Sequence, residues 1–134
     1  MRKLLLLVAL AFAVLGAACS KAEPKVTVTL KEMTVATSVS TVPAGKVTFE
    51  VKNAGTITHE MIVMKTNVAP GSLPVKDGKV DEEGKDASSV GEVSEFAAGK
   101  TISKSFDLKP GSYELVCNIA GHYAGGMHAP FKVT

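Results

Sequence analysis

Apolar and polar residues alternate with period two along most of this chain. Val26, Val28 and Leu30 are interleaved with Thr27, Thr29 and Lys31, the pattern of a strand with one buried face. Residues Val35 to Val42 repeat it with Thr and Ser between the valines, and Pro43-Ala44-Gly45 follows as a turn. The clearest strand sets Val47, Phe49 and Val51 against Lys46, Thr48, Glu50 and Lys52, and Asn53-Ala54-Gly55 ends it. His59 to Met64 is apolar apart from its first two residues, which predicts an interior strand. Strand signals return at Val90 to Phe96, Ile102 to Leu108, Ser112 to Cys117 and about His128 to Val133, with turns at Ala97-Ala98-Gly99-Lys100 and Pro110-Gly111. Seven to eight short strands, and no helix long enough to build a core, predict an all-β, antiparallel sandwich. Met33, Met61 and Met64 are expected in its core.

Residues 65–91 break the pattern. They are rich in Lys, Asp, Glu, Gly and Pro and have no steady apolar period. A long surface loop is predicted there, with one helical turn near Glu82 to Ser88 and the character of a tolerated insertion.

The first residues have a different logic. Arg2 and Lys3 precede an apolar run from Leu4 to Leu15, too short to span a bilayer comfortably, and then the small residues Gly16, Ala17 and Ala18. Residues 1–18 therefore read as an export signal. Leu15-Gly16-Ala17-Ala18-Cys19 resembles the bacterial lipobox, although Gly16 holds the place where Leu is commonest. On that reading Cys19 is the acylated first residue of the mature protein, 19–25 is a polar tether, and 26–134 is one domain. The protein is then exported to the periplasmic or cell-surface side and held to a membrane by its lipid anchor. Ordinary cleavage after Ala18 or Ala22 is the alternative. The net charge of +2 rests on Arg2 and Lys3, and without them 13 basic residues face 13 acidic ones. A neutral domain without Trp gives no basis for nucleic-acid binding.

Chemistry concentrates in Cys117-Asn118-Ile119-Ala120-Gly121-His122-Tyr123-Ala124-Gly125-Gly126-Met127. This glycine-bearing loop carries a thiol, an imidazole and a thioether. Cys117 shares strand parity with Leu115 and Tyr113, and His59 shares it with Met61 and Val63. Both side chains then point inward at strand ends, at one pole of the sandwich. Gly121, Gly125 and Gly126 let the loop curl so that His122 and Met127 reach the same point. Two His, one Cys and a weak axial Met suit copper, whereas thioether is a poor zinc ligand. No open coordination position with a nearby base is offered, so hydrolysis does not follow. Three histidines in total cannot build a multicopper oxidase. Glu60 and Asn118, next to His59 and Cys117, are candidates for contacts around the site, and opposite parity to His59 turns Glu60 to solvent. His128 and Tyr123 are expected at the surface or in packing.

The run Asn53 to His59, the run Pro110 to Cys117 and the Cys-x4-His-x4-Met loop together resemble the cupredoxins, the blue copper proteins, over about Val26 to Thr134. The resemblance implies a Greek-key β-sandwich and one type 1 copper ion. It implies His59, Cys117 and His122 as equatorial ligands and Met127 as the axial one. It further implies one-electron transfer to redox partner proteins, with the His122 edge as the electron port, in a monomer that is not an enzyme. Glu60 stands where many members carry Asn or Ser, so it could lower the reduction potential or ligate the metal. A copper carrier or sensor is the second functional reading, and a structural sandwich with a vestigial site the third.

Overall fold

The computed structural model describes residues 22–134, and every regular element among them is a strand. The expected export signal at 1–18 and the expected lipidation site Cys19 lie outside the described residues. The strands are β1 (Lys25–Lys31), β2 (Thr34–Thr37), β3 (Thr41–Val42), β4 (Gly45–Asn53), β5 (His59–Thr66), β6 (Val75–Lys76), β7 (Lys79–Val80), β8 (Ala87–Phe96), β9 (Thr101–Leu108), β10 (Gly111–Val116) and β11 (His128–Val133). Three of the eleven are only two residues long, so eight carry the architecture.

Two sheets face each other. One has the order β2-β1-β4-β9, the other β3-β11-β10-β5-β8. Pairing is antiparallel except for β1 with β4 and β3 with β11, which run parallel. The expected Val35 to Val42 strand is divided: β2 pairs with β1 in one sheet, and β3 crosses to pair with β11 in the other. The resulting all-β, Greek-key sandwich is the expected fold. Its core takes alternate residues from both sheets, among them Val26, Val28, Leu30, Val47, Phe49, Val51, Met61, Val63, Leu115 and Phe131. Phe49 lies at the centre, 5.4 Å from the Phe131 ring and 6.0 Å from Phe106. Each large apolar side chain fully buried here contributes about 1.5–3 kcal/mol. Met33 departs from expectation: it occupies a tight turn with φ 55° and is 38% exposed.

The 65–91 segment is not a surface loop. Val75–Lys76 and Lys79–Val80 form a hairpin about Asp77-Gly78, both with positive φ, as a two-residue turn with the strands' own twist requires. No helix forms at 82–88: turns lead directly into β8 at Ala87. Leu73, Val80 and Ala87 are buried with Ile62, Met64, Val116 and Tyr123 in a second apolar cluster. The segment thus covers the outer face of the β5–β10 pair. This is why β5 is apolar at both parities: Met61 and Val63 face the other sheet, while Ile62 and Met64 face the covering segment.

Candidate metal centre

β5 begins at His59, and Cys117 follows the last residue of β10. Both lie on core-facing parity at one pole, as strand alternation predicts. Between Cys117 and β11 the chain makes a compact loop held by its own backbone. Met127 carbonyl accepts the Cys117 N–H at 3.0 Å, His122 carbonyl accepts the Met127 N–H at 3.0 Å, and Ile119 carbonyl accepts the His122 N–H at 2.9 Å. Gly121 and Gly126 adopt φ 84° and 110°, conformations that an L side chain resists.

The loop brings His59, Cys117 and His122 together, with one donor atom of each within 4.8 Å of the others. Cys117 Sγ lies 3.3 Å from His122 Nδ1, and the two imidazole rings are 5.2 Å apart at 65°. His59, Cys117 and Met127 are fully buried and His122 is 8% exposed. Met127 shares the apolar cluster of Cys117. The donor set fits a copper ion. Neither buried nitrogen of His59 has a hydrogen-bond partner, an omission that is rare for polar atoms removed from water and that a cation among these donors corrects. Thiolate and imidazole suit copper or zinc, and the neighbouring Met127 thioether favours copper.

Burial sets the electrostatics. It holds the His59 imidazole below its ordinary pKa, reinforced by His122, and it pushes the free Cys117 thiol up. The backbone at Glu60 and Ile119 opposes that rise. Glu60 does not face solvent as parity suggested. It is 9% exposed, its Oε1 accepts the Asn118 N–H at 3.1 Å, and burial together with Glu95 and Glu92 raises its carboxyl. Its parity is opposite to His59 as expected, but the outer face of β5 at that point is covered.

Asn118 clasps the covering segment to the loop. Its Oδ1 accepts Val80 N–H at 2.7 Å, and its Nδ2 donates to Val80 carbonyl at 3.0 Å and to Glu82 Oε1 at 2.9 Å. Gly78 carbonyl accepts Gly121 N–H beside it at 2.9 Å. Asn118→Ala leaves the Val80 N–H and carbonyl unpaired. Each such buried group costs about 1–3 kcal/mol, so urea unfolding of the metal-free protein is expected to lose about 2–6 kcal/mol.

Two residues outside the sequence reading also serve this pole. Glu114, 1% exposed, accepts Gly71 N–H at 2.7 Å and Tyr123 OH at 3.3 Å, and lies 2.9 Å from His128 Nδ1 without hydrogen-bond alignment. Tyr123 OH in turn accepts Leu73 N–H at 3.0 Å. Glu32, in the β1–β2 turn, accepts Thr56 N–H, Thr56 Oγ1–H and Ile57 N–H. These donors, the Thr56 N–H first, lower its carboxyl to about 2. The Asp77-Gly78 dipeptide was the available signal for the clasping hairpin. Nothing local in sequence marked Glu114 or Glu32.

The family model of the cupredoxin-like domain matches residues 4–127. Among solved structures, the chain is similar to dithionite-reduced auracyanin from Roseiflexus castenholzii, with 21% identity, 85% of this chain and 99% of that one covered, and a TM-score of 0.60. It is similar to an azurin from Methylomonas sp. strain J (18% identity, 84% and 99% covered, TM-score 0.60). It is also similar to auracyanin A, a "blue" copper protein from Chloroflexus aurantiacus (19% identity, 81% and 99% covered, TM-score 0.53). At these identities the likeness is one of fold. No curated protein matches the chain at a significant level.

Proposed function

The chain belongs to the cupredoxin-like domain family, and on that premise we propose that it is an electron carrier holding one type 1 copper ion through His59, Cys117, His122 and axial Met127. The carrying observation is the buried His59–Cys117–His122 cluster, in which His59 has two unpartnered nitrogens. Copper bound there supplies one-electron chemistry between Cu(I) and Cu(II).

The chain's own residues fix the conditions for that chemistry. Cys117 gives a thiolate, so loading displaces its proton. The backbone at Glu60 and Ile119 favours the charged form of Cys117. The backbone bonds from Cys117 to Met127 and from Met127 to His122 keep the loop rigid, so little rearranges when an electron moves. His122, slightly exposed where His59 is sealed, is the proposed port to redox partners. Near-complete burial favours retention of the ion over the rapid exchange that a copper carrier or sensor needs. Voltammetry of the copper-loaded protein tests the reading: one reversible one-electron wave per bound copper is expected, and a weakly held, redox-silent ion would favour the carrier.

The site of action follows from the N-terminal sequence. We place the domain outside the cytoplasmic membrane as a monomer tethered through acylated Cys19. Cys19→Ser is expected to move the protein from the membrane to the soluble fraction and to remove the lipid mass from its N-terminal peptide. An unchanged distribution and mass would rule out the anchor.

A further inference from the structure

We propose that Glu32 is the anionic outer partner of the copper ligand His59, fixing its ring and favouring the oxidised ion. The inference rests on the copper reading of the site. Glu32 Oε1 lies 3.8 Å from His59 Nε2. His59 is fully buried, and that nitrogen has no hydrogen-bond partner. The carboxylate is not a drifting surface group. The same oxygen accepts Thr56 N–H, Thr56 Oγ1–H at 3.0 Å and Ile57 N–H at 3.2 Å, all from the loop that delivers His59 into β5. That loop is shaped to receive it: a Cβ on Gly55 would stand 2.5 Å from Glu32 Oε1. Ala54 N–H to Leu30 carbonyl at 2.8 Å ties the loop to the end of β1, just before Glu32.

The negative charge 3.8 Å from Nε2 favours the tautomer with its proton on Nε2. Nδ1, on the other side of the ring, is then the free lone pair for the metal. A fixed negative charge beside a ligand stabilises Cu(II) relative to Cu(I). Glu32 is therefore a positioning residue that also lowers the reduction potential.

The test compares the full chain with Glu32→Gln and Glu32→Ala. Glu32→Gln keeps an oxygen acceptor and removes the charge. It is expected to retain the blue band and the His59 tautomer while shifting the Cu(I):Cu(II) ratio about tenfold toward Cu(I), which is about 59 mV for a one-electron couple. Glu32→Ala is expected to lose the single tautomer as well, read in long-range proton–nitrogen NMR of the His59 ring in metal-free protein. A Glu32→Gln potential equal to wild type, or a His59 ring unchanged in Glu32→Ala, overturns the proposal. If the wild-type protein takes no copper, the electron-carrier reading fails by itself, and the metal-free ring spectrum still decides whether Glu32 holds His59.

Discussion

Cys117→Ser is expected to abolish the intense thiolate-to-copper absorption completely while leaving the sandwich folded. The band requires a Cu–thiolate bond, and among the described residues Cys117 is the one cysteine near the two imidazoles. Serine is close in volume, so the core around Leu115 and Met127 keeps its packing. The hydroxyl is less at home in an apolar site than the thiol, at about 1–3 kcal/mol. Circular dichroism and thermal unfolding of the metal-free variant therefore separate loss of the ligand from loss of the fold. The bound form shows a further difference. A ligand present at about 100 times its Kd stabilises the native state by about 2.7 kcal/mol. That gain on adding copper is expected for wild type and is expected to shrink sharply for Cys117→Ser. A variant that keeps its band would remove Cys117 from the site.

The second large effect is structural. Glu114→Ala is expected to destabilise the metal-free protein by about 3–5 kcal/mol, because it opens a cavity and strips an acceptor from two buried donors at about 1–3 kcal/mol each. For a domain of this size that is a fall of about 10–20 °C in Tm. Glu114 sits under the covering segment, and its removal leaves Gly71 N–H without its acceptor and withdraws one from Tyr123 OH. Tyr123 and His128 directly follow His122 and Met127 in sequence, so the loss also loosens the ligand loop. Faster release of copper to a chelator is expected alongside the lower Tm. A Tm within a few degrees of wild type, seen by differential scanning calorimetry, would show that the carboxylate is dispensable.

The two carboxylates explain where sequence reading stops. Strand periodicity located nearly every strand, because β1, β4 and β11 each bury one face and alternate accordingly. The convergence of the candidate residues was legible for a related reason: Cys117, His122 and Met127 share one loop, and His59 has the parity of Met61 and Val63. What failed was every inference that treated the outer face of β5 and β10 as solvent. Glu60 lies on that face and read as exposed, yet it is 9% exposed, and Glu114 on the same face accepts Gly71 N–H from the covering segment. The cover was hidden because its own apolar residues, Leu73, Val80 and Ala87, are too sparse to set a period. Glu32 was invisible for another reason, since its partner His59 is 27 positions away and only the β1–β2 turn brings them together. Met33, expected in the core, is turned outward by the positive φ of that same turn.

The most direct test of the central claim is the visible and electron paramagnetic resonance spectrum of the protein loaded with one equivalent of Cu(II). The account predicts an intense blue thiolate-to-copper band with narrow hyperfine splitting, from an ion that His59, Cys117, His122 and Met127 would hold. Absence of any charge-transfer band in protein that has bound the ion would contradict it, because the buried thiolate would then not be a ligand.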